Sequence, residues 1–221
     1  MLGRVMVLRL AMLGDSIGYG IGAARVADTL APLLVERLSA TGRPAQAQVF
    51  AVPGARSSDL ARQVATAASW RPDVAVVVIG ANDITHLVPV EQAAAHLGGA
   101  VRSLRALDAE VVVAAAPDLS VVPHVPPPMR GVVRAGSTLL RQAHIRVMLA
   151  AGGRVADPES STSAAFARDS RLFCSDRFHP SSAGYAVIAQ ALAPAVIAAA
   201  DGTDRRPSAD PGFQRSADSH A

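Results

Sequence analysis

Seven residues in the first half of the chain, 73–79, restrict the fold more than any other part of the sequence. They read Asp-Val-Ala-Val-Val-Val-Ile, an almost continuously apolar run without alternating polar residues. A strand of this kind is covered on both faces, as in parallel sheets that carry helices on each side. The run therefore predicts an α/β protein with a buried central strand.

Strand-like and helix-like segments alternate on either side of this run. The other predicted strands are residues 5–13, 47–52, 110–116 and 154–156. The predicted helices are residues 24–40, 58–69 with Ser57 as its N-cap, 90–107, 129–151 and 182–199. Repeated strand–helix units of this kind form one parallel sheet with right-handed crossovers and helices on both faces.

Three residues follow directly on predicted strands. Ser16, Gly54 and Asn82 come after the first, second and third strands. In an open parallel sheet, ligands bind in the crevice beyond the carboxyl ends of the strands. We therefore expect these three residues to meet at one edge of the sheet.

Residues 14–18 read Gly-Asp-Ser-Ile-Gly and satisfy the G-x-S-x-G pattern of a nucleophile elbow. The Ser16 hydroxyl is a poor nucleophile until a base removes its proton. Asp176 and His179 lie three residues apart at the start of a predicted helix. A carboxylate at this spacing can bind the imidazole Nδ1 and leave Nε2 facing the serine. The pattern predicts a serine nucleophile with a histidine base.

Donors for an oxyanion follow the next two strands. Gly54 can offer its backbone N–H without a side chain in the way, and Asn82 can offer its side-chain amide. Each also fits a plain turn glycine or a helix cap, but their joint occurrence favours an oxyanion hole. Asp15 and Asp83 are interpreted as supporting residues that brace these loops by hydrogen bonding or capping.

Four segments resemble, in order, the sequence blocks of the SGNH (GDSL-type) hydrolases: Gly14-Asp15-Ser16, Gly54, Gly80-Ala81-Asn82-Asp83 and Asp176-Arg177-Phe178-His179-Pro180. The resemblance covers roughly residues 5–200 and is strongest to an actinobacterial branch of the family. Ile17 stands where the family usually has leucine, which is a conservative change.

This resemblance implies a flavodoxin-like three-layer α/β/α fold with a sheet of about five strands. It also implies a Ser16–His179–Asp176 triad, with an oxyanion hole formed by the backbone N–H groups of Ser16 and Gly54 and the Asn82 side chain. The implied activity is hydrolysis of a small-molecule carboxylic ester through an acyl-serine, with no metal and no cofactor. An acyltransferase that passes the acyl group to a sugar or another alcohol is the alternative.

Three other interpretations use parts of the same pattern. In a standard α/β-hydrolase, the nucleophile follows several strands and the acid and histidine come from separate loops. Residues 18–23 match the glycine pattern of dinucleotide-binding proteins, but Val52-Pro53-Gly54 stands where their acidic residue is expected. A catalytically silent binding module would not need the full set of groups found here.

Charge and cysteine content bear on partners and compartment. The net charge of +3 comes from scattered arginines without any lysine, which argues against a nucleic-acid partner. Cys174 is the single cysteine, so no internal disulfide can form and a reducing, cytoplasmic location is expected. No signal peptide or membrane span is expected, and the sequence carries no signal for an oligomeric state.

Half of the chain is apolar and only 18% of it is charged, which excludes a disordered protein. Its length fits one hydrolase domain, which we place at residues 1–200. Residues 201–221 are polar, lack apolar periodicity, and are expected to form a disordered tail.

Overall fold

A computed structural model of the chain describes residues 7–157 and 161–203. The strands are β1 (Leu8–Gly14), β2 (Ala45–Val49), β3 (Val74–Val78), β4 (Glu110–Ala114) and β5 (Arg154–Ala156). The helices are α1 (Ser16–Tyr19), α2 (Leu30–Ala40), α3 (Leu60–Ala68), α4 (Ala81–Thr85), α5 (Val90–Ala106), α6 (Arg130–Ala150), α7 (Ser161–Arg168) and α8 (Ser182–Thr203). All strand pairs are parallel, in the order β2-β1-β3-β4-β5.

Successive side chains of the central strands enter two separate apolar cores. Leu10 and Met12 of β1 pack with Val76 of β3, α2 and α8 on one face of the sheet. Ala11 and Leu13 of β1 face the other side, where α3, α5 and α6 cover them. The predicted three-layer α/β/α sandwich around a five-stranded parallel sheet is confirmed, and its strand order is flavodoxin-like.

Position in the sheet explains the composition of each strand. β3 pairs with β1 and β4, and all five of its residues are buried, so its sequence is uniformly apolar. β2 lies at the edge and is mostly exposed, which matches its polar sequence Ala-Gln-Ala-Gln-Val. Its ladder stops at Val49 because the N–H groups of Phe50 and Ala51 both donate to the Met12 carbonyl. The strand predicted at residues 47–52 therefore lies at 45–49 instead. β4 ends at Ala114, two residues before the predicted end at residue 116.

Two expectations about helix starts are wrong. The helix predicted from residue 24 begins at Leu30, with Pro32 in the first turn, where a missing N–H does no harm. Ser57 is not an N-cap, because it lies in a 3₁₀ turn and its hydroxyl donates to Asp83 at 2.8 Å. α3 begins at Leu60 instead.

Three helices were not predicted. α1 and α4 have four and five residues, too few for a 3.6-residue apolar period to show. α7 is rich in serine and alanine and buries only Phe166 fully. Its first turn depends on the Asp157 carboxylate, which accepts from the backbone N–H and hydroxyl groups of Ser161 and Thr162.

α8 continues to Thr203, so the first three residues of the predicted tail are helical, and residues 204–221 lie outside the described part of the chain. With 22 residues and a mean hydropathy of 1.7, α8 is long and apolar enough to span a membrane by length and composition. This corrects the expectation that no segment has that property. In the fold, α8 packs against α2, β4 and β5, which explains its apolar sequence.

Candidate active site

β1 ends in a sharp turn that brings Ser16 beyond the carboxyl edge of the sheet. Gly14 has a φ of +127°, and a Cβ there would collide with the Val78 carbonyl oxygen of β3. That carbonyl accepts the Asp15 N–H at 3.0 Å. Only glycine fits this close crossing between the first and third strands.

Gln63 of α3 holds the same turn from the other side. Its side-chain oxygen accepts the Gly14 N–H at 2.7 Å, and its amide donates to the Gly14 carbonyl at 2.8 Å. The Val52 N–H donates to that carbonyl at 3.0 Å, so the turn also contacts the loop after β2. Gln63 is 5% exposed. It was not predicted, because one glutamine on a helix gives no sign of a backbone partner 49 residues away.

Ser16 is the first residue of α1 and is 9% exposed. Asp15 caps this helix, since its Oδ1 accepts the Ile17 N–H at 3.0 Å. Desolvation by burial, reinforced by the nearby Asp83 charge, raises the pKa of Asp15 to about 7 despite that hydrogen bond. Its side chain therefore hydrogen-bonds the backbone at the start of α1, and a supporting role for Asp15 stays a prediction.

The Ser16 hydroxyl, the His179 ring and the Asp176 carboxylate form a continuous chain of short contacts. Ser16 Oγ lies 3.0 Å from His179 Nε2. His179 Nδ1 lies 2.7 Å from Asp176 Oδ2. An acceptor on Nδ1 fixes the ring tautomer with its proton there, so Nε2 is free to take a proton from the serine. The structure brings these three residues together across 163 positions of sequence.

The loop that carries Asp176 and His179 is tightly braced. The second carboxylate oxygen of Asp176 accepts the N–H groups of Phe178 and His179 at 2.8 and 2.9 Å. Arg177 has a left-handed φ of +58°, which turns the chain back between them. Desolvation opposes ionisation of Asp176, but hydrogen bonds from His179, the Cys174 thiol and the backbone hold its pKa well below the ordinary value. Asp176 therefore stays ionised.

The predicted oxyanion donors lie in the loop after β2, which carries Gly54, and in α4, which carries Asn82. Gly54 has a left-handed φ of +81°, and its Cβ direction is open. Asn82 donates one amide hydrogen to the Ala55 carbonyl at 3.0 Å, which ties it to the loop that carries Gly54. Within the described residues, the N–H groups of Ser16 and Gly54 and the other Asn82 amide hydrogen are not used by another group. All three remain available to an external acceptor.

Asp83 ties α4 to the loop after β2. It is 1% exposed, and both carboxylate oxygens lie 3.1 Å from the Ser57 N–H. The Ser57 hydroxyl donates to one of them at 2.8 Å. Asp83 thus contacts the loop after β2 rather than capping the segment that follows Asn82, which corrects one of the suggested roles.

A buried histidine lies beside Gly80, the residue that precedes α4. His144 of α6 is 1% exposed, and within the described residues neither ring nitrogen has a hydrogen-bond partner. Its Cε1 lies 3.1 Å from where a Cβ on Gly80 would stand. Burial lowers the pKa of His144 to about 4, so the ring is neutral at pH 7. It was not predicted, because its position on an amphipathic helix does not distinguish it from an exposed histidine.

Residues 7–157 and 161–203 contain no cluster of three or more His, Cys, Asp or Glu side chains arranged to hold a metal ion. Ser16, His179 and Asp176 form one group of side chains at the carboxyl edge of the sheet, and the backbone N–H groups of Ser16 and Gly54 and one amide hydrogen of Asn82 are unused within the described residues. Together they can activate a hydroxyl and bind a developing oxyanion.

Residues 12–187 match the GDSL-like Lipase/Acylhydrolase family. The chain is 34% identical over 189 residues, 84% of its length, to the GDSL-like esterase Rv1075c of Mycobacterium tuberculosis (strain ATCC 25618 / H37Rv). It spans 60% of the length of that relative.

Solved structures show the same fold. The esterase EstA from Pseudoalteromonas sp. superimposes with a TM-score of 0.70 at 17% identity, over 87% of this chain and 98% of that chain. The lipase/acylhydrolase from Enterococcus faecalis gives a TM-score of 0.68 at 21% identity, over 90% and 97%. Axe2, an acetylxylan esterase from Geobacillus stearothermophilus, gives 0.63 at 20% identity, over 87% and 96%.

Proposed function

Because the chain belongs to the GDSL-like lipase/acylhydrolase family, we propose that it is a serine esterase that hydrolyses carboxylic esters through an acyl-Ser16 intermediate. The observation that carries this proposal is the unbroken path from Ser16 Oγ to His179 at 3.0 Å and on to Asp176 at 2.7 Å. Both distances lie within the range required of a nucleophile, its base and the group that orients the base.

In the first step, Ser16 Oγ attacks the ester carbonyl while His179 Nε2 accepts the hydroxyl proton. The C–O bond to Ser16 forms, and the carbonyl electron pair moves to oxygen. Asp176 keeps the ring oriented and stabilises the imidazolium, without itself taking the proton. The low pKa of Asp176 supports that role, because an ionised carboxylate stabilises the positive ring.

The tetrahedral oxyanion is held by the N–H groups of Ser16 and Gly54 and by the Asn82 amide. Their availability supports this assignment, and one good donor contributes roughly 3–4 kcal/mol to the transition state. Gln63 and Asp83 hold the turns that carry these donors, so the donors are already in place before substrate arrives.

Collapse of the intermediate breaks the bond to the alcohol oxygen, which takes the proton from His179. A water molecule then gives a proton to His179 and attacks the acyl-Ser16 carbonyl. The second tetrahedral intermediate releases the carboxylic acid and restores the Ser16 hydroxyl. We further propose that the sheet and its two helical layers act as one hydrolase domain.

The test is hydrolysis of p-nitrophenyl esters from acetate to palmitate by wild type, Ser16→Ala and His179→Ala. We expect each substitution to lower kcat by roughly 10⁴-fold or more, because the nucleophile and base act as a unit. Ser39→Ala, on the exposed face of α2, is the matched control and should keep wild-type turnover.

Activity retained by Ser16→Ala would overturn the assignment. The same assay with an added alcohol examines the alternative. Formation of a new ester in place of free acid would reassign the acyl-enzyme to an acyltransferase.

A further inference from the structure

Residues 20–24, which read Gly-Ile-Gly-Ala-Ala, follow directly on the helix that begins with Ser16. The N–H groups of Gly20 and Ile21 both donate to the Ser16 carbonyl, at 2.9 and 3.0 Å. This double contact attaches residues 20–24, which we call the spacer segment, to the backbone of the proposed nucleophile. The glycines of the segment belong to the pattern that resembles dinucleotide-binding proteins, and the esterase proposal gives them no role.

The other side of the spacer segment meets the loop that carries the proposed base. Gly22 has a left-handed φ of +93°. A Cβ at this position would stand 2.5 Å from the Pro180 carbonyl oxygen, 3.0 Å from the Cys174 sulfur and 3.1 Å from the His179 Cβ. Only a residue without a side chain permits this approach. The spacer segment therefore touches Ser16 on one side and His179 on the other, while their side chains meet at 3.0 Å.

Tyr185 of α8 holds the middle of the spacer segment. Its hydroxyl donates to the Ile21 carbonyl at 2.7 Å, and the side chain is 0% exposed. Burial raises the pKa of the Tyr185 phenol well above its ordinary value, so the hydroxyl keeps its proton and remains a donor. The two peptide groups of Ile21 thus donate to Ser16 and accept from Tyr185. They connect the nucleophile to the helix that follows the base.

A second contact attaches the end of the spacer segment to the first turn of α8. The Ala24 N–H donates to the Ser182 hydroxyl oxygen at 3.0 Å. That hydroxyl donates in turn to the Asp28 carboxylate at 2.8 Å, which also pairs with Arg25 at 2.7 Å. The spacer segment is therefore fixed at two points to the element that leads away from His179.

We propose that the spacer segment sets the separation between Ser16 and His179, and that Tyr185 and Gly22 are positioning residues of the esterase. The proposal rests on the esterase function proposed above. Neither residue would touch the substrate, because one is fully buried and the other has no side chain. A misplacement of about 1 Å between reacting groups can lower a rate by roughly 100-fold. Small changes at these positions should therefore be visible in turnover.

The first test is Tyr185→Phe, which removes one hydroxyl and keeps the ring. We expect kcat for a p-nitrophenyl ester to fall about tenfold to hundredfold. KM should change little, because His179 serves both acylation and deacylation and both steps slow together. The rate at which an alkyl fluorophosphonate labels Ser16 should fall as well. Tyr19→Phe is the matched control and should keep wild-type turnover, since it makes the same chemical change at the other tyrosine, which is 53% exposed.

The second test is Gly22→Ala, which perturbs the same contact from the other side. The added methyl group must displace the spacer segment or the base loop, so kcat should again fall about tenfold or more. Gly42→Ala is the matched control. Gly42 has a similar φ of +80°, but a Cβ there would have no atom within 4 Å. The control therefore carries the same backbone strain without moving the base, and it should keep wild-type turnover.

Each variant would first be checked for cooperative unfolding in urea. If Tyr185→Phe does not unfold cooperatively, Ser182→Ala takes its place, because Ser182 is half-buried and holds the same segment. A lower urea midpoint with wild-type kcat in the folded variants would overturn the positioning role and leave the esterase intact. A raised KM with unchanged kcat would overturn it too, since the residue would then act on substrate binding. Failure of the esterase proposal itself would show as wild-type turnover that Ser16→Ala does not abolish.

Discussion

Replacing His144 by leucine should make the protein more stable, and most of all in mild acid. Burial of the neutral ring leaves both nitrogens without hydrogen-bond partners within the described residues, which costs about 1–3 kcal/mol per group. Leucine has a similar volume and no polar atom, so it can occupy the space against Gly80 and Leu140. The substitution removes a destabilising group without opening a cavity.

The pH dependence follows from the direction of the pKa shift. Folding lowers the pKa of His144 from 6.5 to about 4, so the unfolded chain binds more protons between these values. The free energy of unfolding is therefore unaffected by His144 protonation above about pH 6.5, and it decreases as the pH falls toward 4. Between pH 7.5 and pH 5, His144 should lower the free energy of unfolding of the wild type by about 2 kcal/mol. His144→Leu should not show that decrease.

The assay is urea unfolding of both proteins at pH 7.5 and pH 5, followed by circular dichroism. The difference between the two proteins isolates His144, because every other titrating group contributes equally to both. Thr138→Leu, exposed on the same helix, is the control and should follow the wild-type pH dependence. A pH dependence in His144→Leu equal to that of wild type would refute the reasoning.

Three more substitutions examine the site. Asn82→Ala should lower kcat by about 10²–10³-fold with little change in KM, measured by ester hydrolysis, because the role proposed for its amide is to bind the oxyanion of the transition state. Gln63→Leu should reduce the free energy of unfolding by about 1–3 kcal/mol in urea melts, since the buried Gly14 N–H loses its acceptor, whereas exposed Gln92→Leu should not. Because folding raises the pKa of Asp15 from 3.8 to about 7, its contribution to the free energy of unfolding is present below about pH 4 and is lost as the pH rises through about 7. Asp15→Asn should abolish this loss, which amounts to about 4 kcal/mol between pH 4 and pH 8 in urea melts.

The fold could be predicted from sequence because its determinants are local and repeated. The apolar run of β3 follows from burial on both faces, and α3, α5 and α6 show a 3.6-residue apolar period. The two shortest helices could not be predicted from an apolar period, because α1 and α4 complete barely one turn. Their conformation depends on Gly14 and Gly80, whose positive φ values are set by contacts with other parts of the fold.

The proposed catalytic residues could be named from sequence because short segments carry them in order after strand ends. The groups that hold them in place could not. Gln63 binds the backbone of Gly14, and Ser57 binds the carboxylate of Asp83, across 49 and 26 positions. Such pairings depend on how helices and loops pack, which residue type and spacing do not encode.

The most direct test of the central claim is to identify the residue that forms a covalent bond with the electrophilic phosphorus of a serine-hydrolase inhibitor. The protein would be incubated with an alkyl fluorophosphonate, digested, and analysed by mass spectrometry, with Ser16→Ala treated in parallel. The account predicts one equivalent of adduct on the peptide that contains Ser16, complete loss of esterase activity, and no adduct in the variant. Labelling of another residue in step with loss of activity would contradict the assignment of Ser16 as the nucleophile.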